Sequence, residues 1–336
     1  MSVTRTYGLI NAKIRARRSG FIDESTLRSM ASAKDLSELL GQLGKTRLRE
    51  WAESQINSDY EQLETALWRE ELRHLTVLRK DCHAGAARTL EVLLHRYEAE
   101  RFKAFLRQWQ KDRSHIAILR DFIQYPLDWD RLFAAETLEA LAVCAGPFRE
   151  PIESVLDDFK IHGLFVVELA IDKDVFARFE KTIESLGYFD RKIARRLLGV
   201  EADLKNLDWI GRFRKYYQIP AAEVASFLLP MGYRLKPREI QEAVAGGAVL
   251  PALERISHGL PSAFKKNDWT PESLERFLLH TEASLARWAF AEFPLSVGSI
   301  LGYAAQLKIE FMNLRMLMFA KYYKLPSQET EALLVL

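Results

Sequence analysis

The chain repeats itself. Residues 215–229 read KYYQIPAAEVASFLL and residues 321–335 read KYYKLPSQETEALLV. Lys215, Tyr216, Tyr217, Pro220, Glu223 and Leu228 thus recur as Lys321, Tyr322, Tyr323, Pro326, Glu329 and Leu334 at a constant offset of 106. Just upstream, Asp203, Asn206 and Leu207 recur as Glu310, Asn313 and Leu314 at an offset of 107. Self-similarity at a fixed period points to stacked copies of one structural unit. A slip of one residue turns a helix face by about 100°, so the change of offset leaves two readings: a bulge inside a helix, or a mistaken register.

Weaker echoes extend the pattern. Glu98-Ala-Glu100-Arg-Phe102 resembles Glu201-Ala-Asp203-Leu-Lys205, which sets Glu100 opposite Asp203 and Lys103 opposite Asn206. Leu27, Met30, Leu36, Leu40 and Leu43 match Ile240, Ala243, Val249, Leu253 and Ile256 at an offset of 213, close to two periods. The expectation is three helical units that close on themselves with the termini near each other. Residues 51–150 form the first unit, 151–262 the second and 263–336 the third, and the N-terminal helices of residues 1–50 complete the third.

Apolar residues recur at helical spacing throughout. Leu307, Phe311, Leu314 and Met318 form one stripe, and Ile309, Met312, Met316 and Phe319 form a second on the same segment. A helix apolar nearly all round belongs in the middle of a protein. Leu36, Leu39, Leu40 and Leu43 form a narrower stripe, as do Phe102, Phe105, Leu106 and Trp109. No sustained strand alternation appears, Gly at 16 is sparse, and the 11 prolines read as punctuation between short helices. The fold class is all-α, with a dozen or so helices.

Charge narrows the function. The 48 Lys and Arg nearly cancel the 46 Asp and Glu although 28% of residues are charged, which speaks against a protein built to grip nucleic acid. With 48% hydrophobic residues the chain can bury a sizeable core, so disorder is excluded. Cys82 and Cys144 form no CxxC pair, and a reducing compartment is the simplest reading. No export signal is visible in the first 18 residues, and the longest apolar runs, such as 163–171, fall well short of the roughly 20 residues a spanning helix needs.

Chemical motifs fail one by one. Gly41-Gln-Leu-Gly44-Lys45-Thr46 ends like a phosphate-binding loop, but Leu39 stands where its first glycine belongs and a helix precedes it, so a helix-end turn is expected. Glu71-Leu-Arg-His74 is a single ExxH where a di-iron bundle needs two, and reads as a solvated face or helix-end histidine. Asp157-Asp158 lacks the fifth-position acid of a DDxxD motif, where Ile161 stands, and the remaining histidines show no metal-ligand spacing. No catalytic, cofactor or metal residues are assigned.

Arg15, Arg17 and Arg18, with Lys13 and Arg5, make the densest basic cluster, beside Leu9, Ile10 and Ile14. It is either the solvated face of an amphipathic first helix or an electrostatic contact with a partner or membrane surface. The double tyrosines face a similar choice, and a Tyr-Tyr pair just before Leu-Pro or Ile-Pro is expected to fix how one helix meets the next.

Taken together, the opening Tyr7-Gly-Leu-Ile-Asn11-Ala-Lys-Ile-Arg15-Ala-Arg-Arg18, the block Glu201-Ala-Asp203-Leu-Lys-Asn206-Leu207, and Asn313-Leu314-Arg315 running to Tyr322-Tyr-Lys-Leu-Pro326 resemble the C subunit of bacterial and archaeal V/A-type rotary ATPases, equivalent to the d subunit of the vacuolar enzyme. The likeness runs over essentially the whole chain, departing where Lys103 replaces the asparagine. It implies a funnel-shaped closed bundle of three pseudo-threefold-related helical repeats. It further implies a non-catalytic rotor part without cofactor, placed peripherally on the cytoplasmic face of a membrane between the D and F subunits of the central stalk and the proteolipid (c/K) ring. On this likeness Arg15, Arg17 and Arg18 are candidate interface residues, while Asp203, Asn206, Tyr216, Tyr217, Glu310, Asn313, Tyr322 and Tyr323 are structural signatures of the repeat. Two other readings stand beside it: a generic helical-repeat scaffold for another partner, and an all-helical enzyme with an unrecognised site.

Overall fold

A computed structural model describes residues 3–111, 124–213, 220–245, 252 and 271–336. Among these residues the chain is all-α, with seventeen α-helices, one 3-10 turn and no strand. In chain order the helices are α1 (Val3–Arg18), α2 (Glu24–Ala31), α3 (Leu36–Leu43), α4 (Arg49–Ser54), α5 (Tyr60–Arg79), α6 (Ala84–Lys111), α7 (Trp129–Ala134), α8 (Leu138–Cys144), α9 (Arg149–Glu153), α10 (Leu156–His162), α11 (Leu164–Glu184), α12 (Tyr188–Arg212), α13 (Ala221–Phe227), α14 (Pro237–Val244), α15 (Pro271–Glu292), α16 (Val297–Tyr322) and α17 (Ser327–Leu333). The count exceeds the expected dozen because pieces of five to eight residues, such as α4 and α9, carry too few apolar repeats for periodicity to resolve. Each described proline lies between helices or in a helix's first turn, where the missing N–H costs nothing.

Long helices come in three consecutive pairs. α5, α11 and α15 begin at Tyr60, Leu164 and Pro271, and α6, α12 and α16 begin at Ala84, Tyr188 and Val297. The chain divides into two compact units, one of Met1–Ala86 with Leu279–Leu336 and the other of Ala87–Leu278.

In the first unit α16 is the central member, packed on α1, α2, α3, α5 and α17. Its sequence explains why: Ile300, Leu307, Phe311, Leu314, Leu317 and Met318, spread round the helix, are all buried. Each such side chain contributes about 1.5–3 kcal/mol relative to leaving it in water. Ser296 starts the helix by accepting the Gly298 N–H on its hydroxyl. Gly302 lets α15 approach, since a Cβ there would lie 2.8 Å from the Ala286 carbonyl oxygen. Helix α1 meets α16 with Ile10 and Ile14, both buried.

Lys324 ends α16. Its φ of 56° is left-handed, and Leu325 N–H reaches back to the Ala320 carbonyl at 2.8 Å, the closure usually given to glycine. Pro326 then opens α17. In the second unit α11 and α12 pack together, and Phe176, Ala202 and Leu229 form a cluster with Trp209 against it.

Because a side chain with a Cβ is strained in the left-handed region, Lys324→Gly is expected to stabilise the protein by up to about 1 kcal/mol. Thermal unfolding with an unchanged or lower midpoint would show that Lys324 makes compensating contacts.

Candidate functional site

The repeated asparagines do one job twice. Asn206 on α12 donates from Nδ2 to the Leu229 carbonyl at 3.2 Å and accepts the Leu229 N–H on Oδ1 at 2.7 Å. Asn313 on α16 donates to the Val335 carbonyl at 2.9 Å and accepts the Val335 N–H at 2.9 Å. Each amide satisfies both backbone groups of one residue just past a short helix, α13 or α17, and each is buried. Only an amide of this length offers a donor and an acceptor side by side.

The acids one turn earlier grip a second segment. Asp203 Oδ2 accepts the N–H groups of Tyr233, Arg234 and Leu235 at 2.5–3.2 Å, at the entrance to α14. The stretch of loop carrying them crosses α12 at Gly199, where a Cβ would lie 2.6 Å from the Tyr233 Cβ. Glu310 Oε1 accepts the Ile22 N–H at 2.9 Å, at the entrance to α2, and its other oxygen pairs with Arg47. Lys321, another repeated residue, is buried and donates to the Ala31 carbonyl at 2.6 Å, on the last residue of α2. A cation there also meets the negative end of the helix dipole. Helix α16 therefore holds α2 at both ends. Burial pushes both acids up: Asp203 despite its three N–H donors, and Glu310 despite Arg47.

The hydrogen bonds also fix the register. Asn206 and Asn313 differ by 107 while Leu229 and Val335 differ by 106, so the one-residue change is real and lies between them. The extra residue falls in the second unit, between Asn206 and Leu229. In the earlier echo, the expected pairing of Glu100 with Asp203 is displaced by two residues. Glu100 has a half-exposed side chain, whereas Glu98 is buried and accepts the Gln124 N–H on Oε1. Lys103 is buried beside Asp172 at 2.7 Å.

Glu71 corrects another expectation, that of a solvated ExxH face. It is buried and pairs with Arg315 of α16 at 2.8 Å. His74 is largely buried too: its Nε2 lies 3.0 Å from Arg47 Nη1 and 3.3 Å from Glu70 Oε1, its carbonyl accepts from Arg17, and the Phe311 ring stands edge-on to it. Burial holds the imidazole below its ordinary value against the pull of Glu70, with Arg47 and Arg73 adding to the effect. Burial raises Glu70, but its bonds to Arg73 and His74 outweigh this and hold it down at about 2. Gly44-Lys45-Thr46 is the turn after α3, with Thr46 Oγ1 donating to the Leu43 carbonyl. Asp157 pairs with Lys160 in solvent. Among the described residues no group of three or more His, Cys, Asp or Glu is placed to hold a metal ion.

The basic cluster is divided by the fold. Arg17 is half-buried and donates to the His74 carbonyl at 3.2 Å, and Arg18 is half-buried, donating to Gln306 and lying 4.5 Å from the Phe290 ring centre. Arg15 alone of the three is exposed. Tyr322 and Tyr323 are half-exposed; Tyr322 stacks on Tyr60, while Tyr323 stands edge-on to Tyr60 and tilted against Phe319, burial pushing the Tyr60 hydroxyl up to about 12. Tyr323 is the C-cap of α16, its N–H bonded to the Phe319 carbonyl at 3.0 Å, and Lys324 makes the left-handed turn that follows. Tyr216 and Tyr217 lie outside the described residues.

An all-α chain in which buried polar side chains of long helices seize the backbone of short ones, by the same device in two places, is a helical-repeat protein. A family model described as ATP synthase (C/AC39) subunit matches residues 10–333. The chain is 22% identical over 349 residues to the C subunit of the A-type ATP synthase of Methanocaldococcus jannaschii, covering 98% of this chain and 86% of that protein. It is also 29% identical over 154 residues to the corresponding A-type ATP synthase C subunit of Archaeoglobus fulgidus, covering 44% and 43% of the two. The chain belongs to the ATP synthase (C/AC39) subunit family. Among the described residues no helix is long and apolar enough to cross a membrane.

Asn313→Ala removes two buried hydrogen bonds and strands the Val335 N–H and carbonyl, an expected loss of about 2–4 kcal/mol. Hydrogen exchange should show the Val335 amide protected in the wild type and open in the variant; equal protection would refute the bridge. His74 gives a pH test. Its folded value lies below its unfolded one, so the unfolded chain protonates first and stability is lost as pH falls below about 6.5. His74→Gln should flatten that slope relative to the wild type in urea titrations, whereas the raised Glu310, which acts in the opposite sense, is common to both proteins.

Proposed function

We propose that this chain is the non-catalytic coupling subunit of the rotor in a V/A-type rotary ATPase, carrying torque between the D and F subunits of the central stalk and the membrane proteolipid ring. It sits peripherally on the cytoplasmic face and binds neither nucleotide nor metal for chemistry. The observation that carries the reading is the repeated grip of α12 and α16 on the segments that follow them. Torque transmission needs helices that cannot slide past one another. An amide bonded twice to one backbone residue, with an acid holding the next loop, opposes sliding more directionally than apolar packing alone.

The same geometry supports three units, the third completed by the N-terminal segment. Ile22 and Leu235, both donors to the repeated acid, are 213 residues apart, and so are the first residues of α2 and α14. On this reading the units are 51–150, 151–262 and 263–336, with residues 1–50 belonging to the last, in a closed funnel. Of Arg15, Arg17 and Arg18, Arg15 is the exposed one and the one we assign to a partner, since Arg17 and Arg18 are half-buried and hydrogen-bonded within their own unit.

Affinity purification of the tagged chain from gently solubilised membranes is expected to recover the proteolipid ring together with stalk subunits, and the purified chain alone is expected not to hydrolyse ATP. Arg15→Glu should lower recovery of the ring while leaving the thermal midpoint unchanged. Recovery of neither neighbour, or ATP hydrolysis by the chain itself, would overturn the proposal.

A further inference from the structure

Within the first unit a half-open cavity of about 510 Å³ lies among α1, α2, α15 and α16, a size ordinary for small-molecule sites. Its floor is apolar, with Leu27, Ile309 and Val335, all buried. Its wall carries Arg15, Arg18 and Arg287, and the Arg15 and Arg18 guanidinium groups lie 5.3 and 4.5 Å from the Phe290 ring centre.

Three arginines and three acids line this cavity, and they are not paired with one another. Every acid lining it is already engaged: Asp23 caps α2 through Thr26, Glu24 pairs with Arg28, and Glu310 pairs with Arg47 and the Ile22 N–H. None of the three arginines has a carboxylate partner among the described residues; Arg18 bonds the neutral Gln306 and Arg287 the neutral Ser284. Gln306 adds a further donor, since its Nε2 is buried without a hydrogen-bond partner while Oε1 accepts from Arg18. A buried donor left open in this way is unfavourable unless an acceptor arrives. Guanidinium groups favour planar or tetrahedral oxyanions, which take two N–H donors at once.

We infer that this cavity binds an anionic amphiphile, its phosphate or carboxylate head held by Arg15, Arg18 and Arg287 with the Gln306 amide, and its apolar body lying against Leu27, Ile309 and Val335. The site is built from this chain alone and shares Arg15 with the face proposed to meet the ring, so it is tested on the isolated chain.

Octyl phosphate, used below its micelle threshold in calorimetry with the full chain, is the direct probe. One equivalent should bind saturably, inorganic phosphate should bind about tenfold more weakly or worse for want of the floor, and octyl glucoside, with the same tail and no charge, should not bind. Arg15→Gln with Arg287→Gln, both at exposed positions, should weaken octyl phosphate by about tenfold or more at an unchanged thermal midpoint. Ala283→Leu, which fills the floor, should weaken octyl phosphate and leave inorganic phosphate as it was. Flotation on phosphatidylglycerol vesicles, set against phosphatidylcholine, separates the sources. Retention that disappears in the double variant assigns the head to a lipid, while octyl phosphate binding without retention assigns it to a soluble anion. Equal binding of octyl glucoside, or a double variant that binds as the wild type does, would overturn the inference.

Discussion

A short helix cut from a long one leaves its last backbone groups without partners, and in a buried place that deficit must be met by a side chain. The structure meets it with asparagine. Asn206 and Asn313 each close on both backbone groups of a single residue, Leu229 or Val335. The position of α13 and α17 follows from this bond, because a helix whose exit is pinned to the neighbouring long helix has little freedom left. The acids a turn away pin what comes next, at the entrances of α14 and α2. What looks in the sequence like scattered polar residues in apolar helices is therefore one mechanical device, repeated.

The same logic explains where the charges went. Burying Glu71, Glu98, Lys103, Asp203, Glu310 and Lys321 is costly unless each is paired or hydrogen-bonded. Glu71 and Lys103 have ion partners, Asp203 and Glu98 take backbone N–H groups, Lys321 meets a helix C-terminus, and Glu310 does both. Such arrangements add less net stability than apolar packing, but they tolerate no slip, since a shifted helix strands several buried polar groups at once. Near-cancellation of charge in the composition is in part a record of these internal pairs.

Much of this is legible in the sequence and some is not. The all-α class, the centrality of α16 and the signature residues Asp203, Asn206, Glu310 and Asn313 stand out because periodicity and repetition act on residue identity. Their partners do not, because Leu229 and Val335 are used through their backbones and nothing in a leucine or a valine announces it. Lys321 stands out only as a repeated residue, while its task, capping α2 from 290 residues away, is hidden by distance. Glu98 and Glu100 are alike in type and two positions apart, so only burial tells them apart. Glu71 reads as solvated because glutamate is seldom fully buried, and its partner Arg315 lies 244 residues along the chain. The arginines of α1 form a cluster in sequence that the helix divides, Arg15 and Arg18 lying toward the Phe290 ring and Arg17 toward the His74 carbonyl.

The first unit shows what repetition costs in assembly. Ile22 N–H and Glu310 are separated by 288 residues, and Lys321 and Ala31 by 290, whereas the corresponding acid contact in the second unit spans 30 to 32 residues. Closing a loop of that length carries a larger entropic penalty, though one that grows only logarithmically with length. The heavier consequence is order: α2 cannot be held at either end until α16 exists, so its apolar face, Leu27 and Met30, waits uncovered while the second unit can close on its own neighbours. Asp23 and Glu24 at the start of α2 and Arg28 in its last turn supply local support in the meantime. The helix in the equivalent place of the second unit is built the same way: in α14 Glu239 accepts the Lys236 N–H at 2.8 Å and Arg238 pairs with Glu242, while Asp203 holds the entrance. Local capping and the grip of the repeated acid therefore act together at both places, and only the sequence distance to the acid differs.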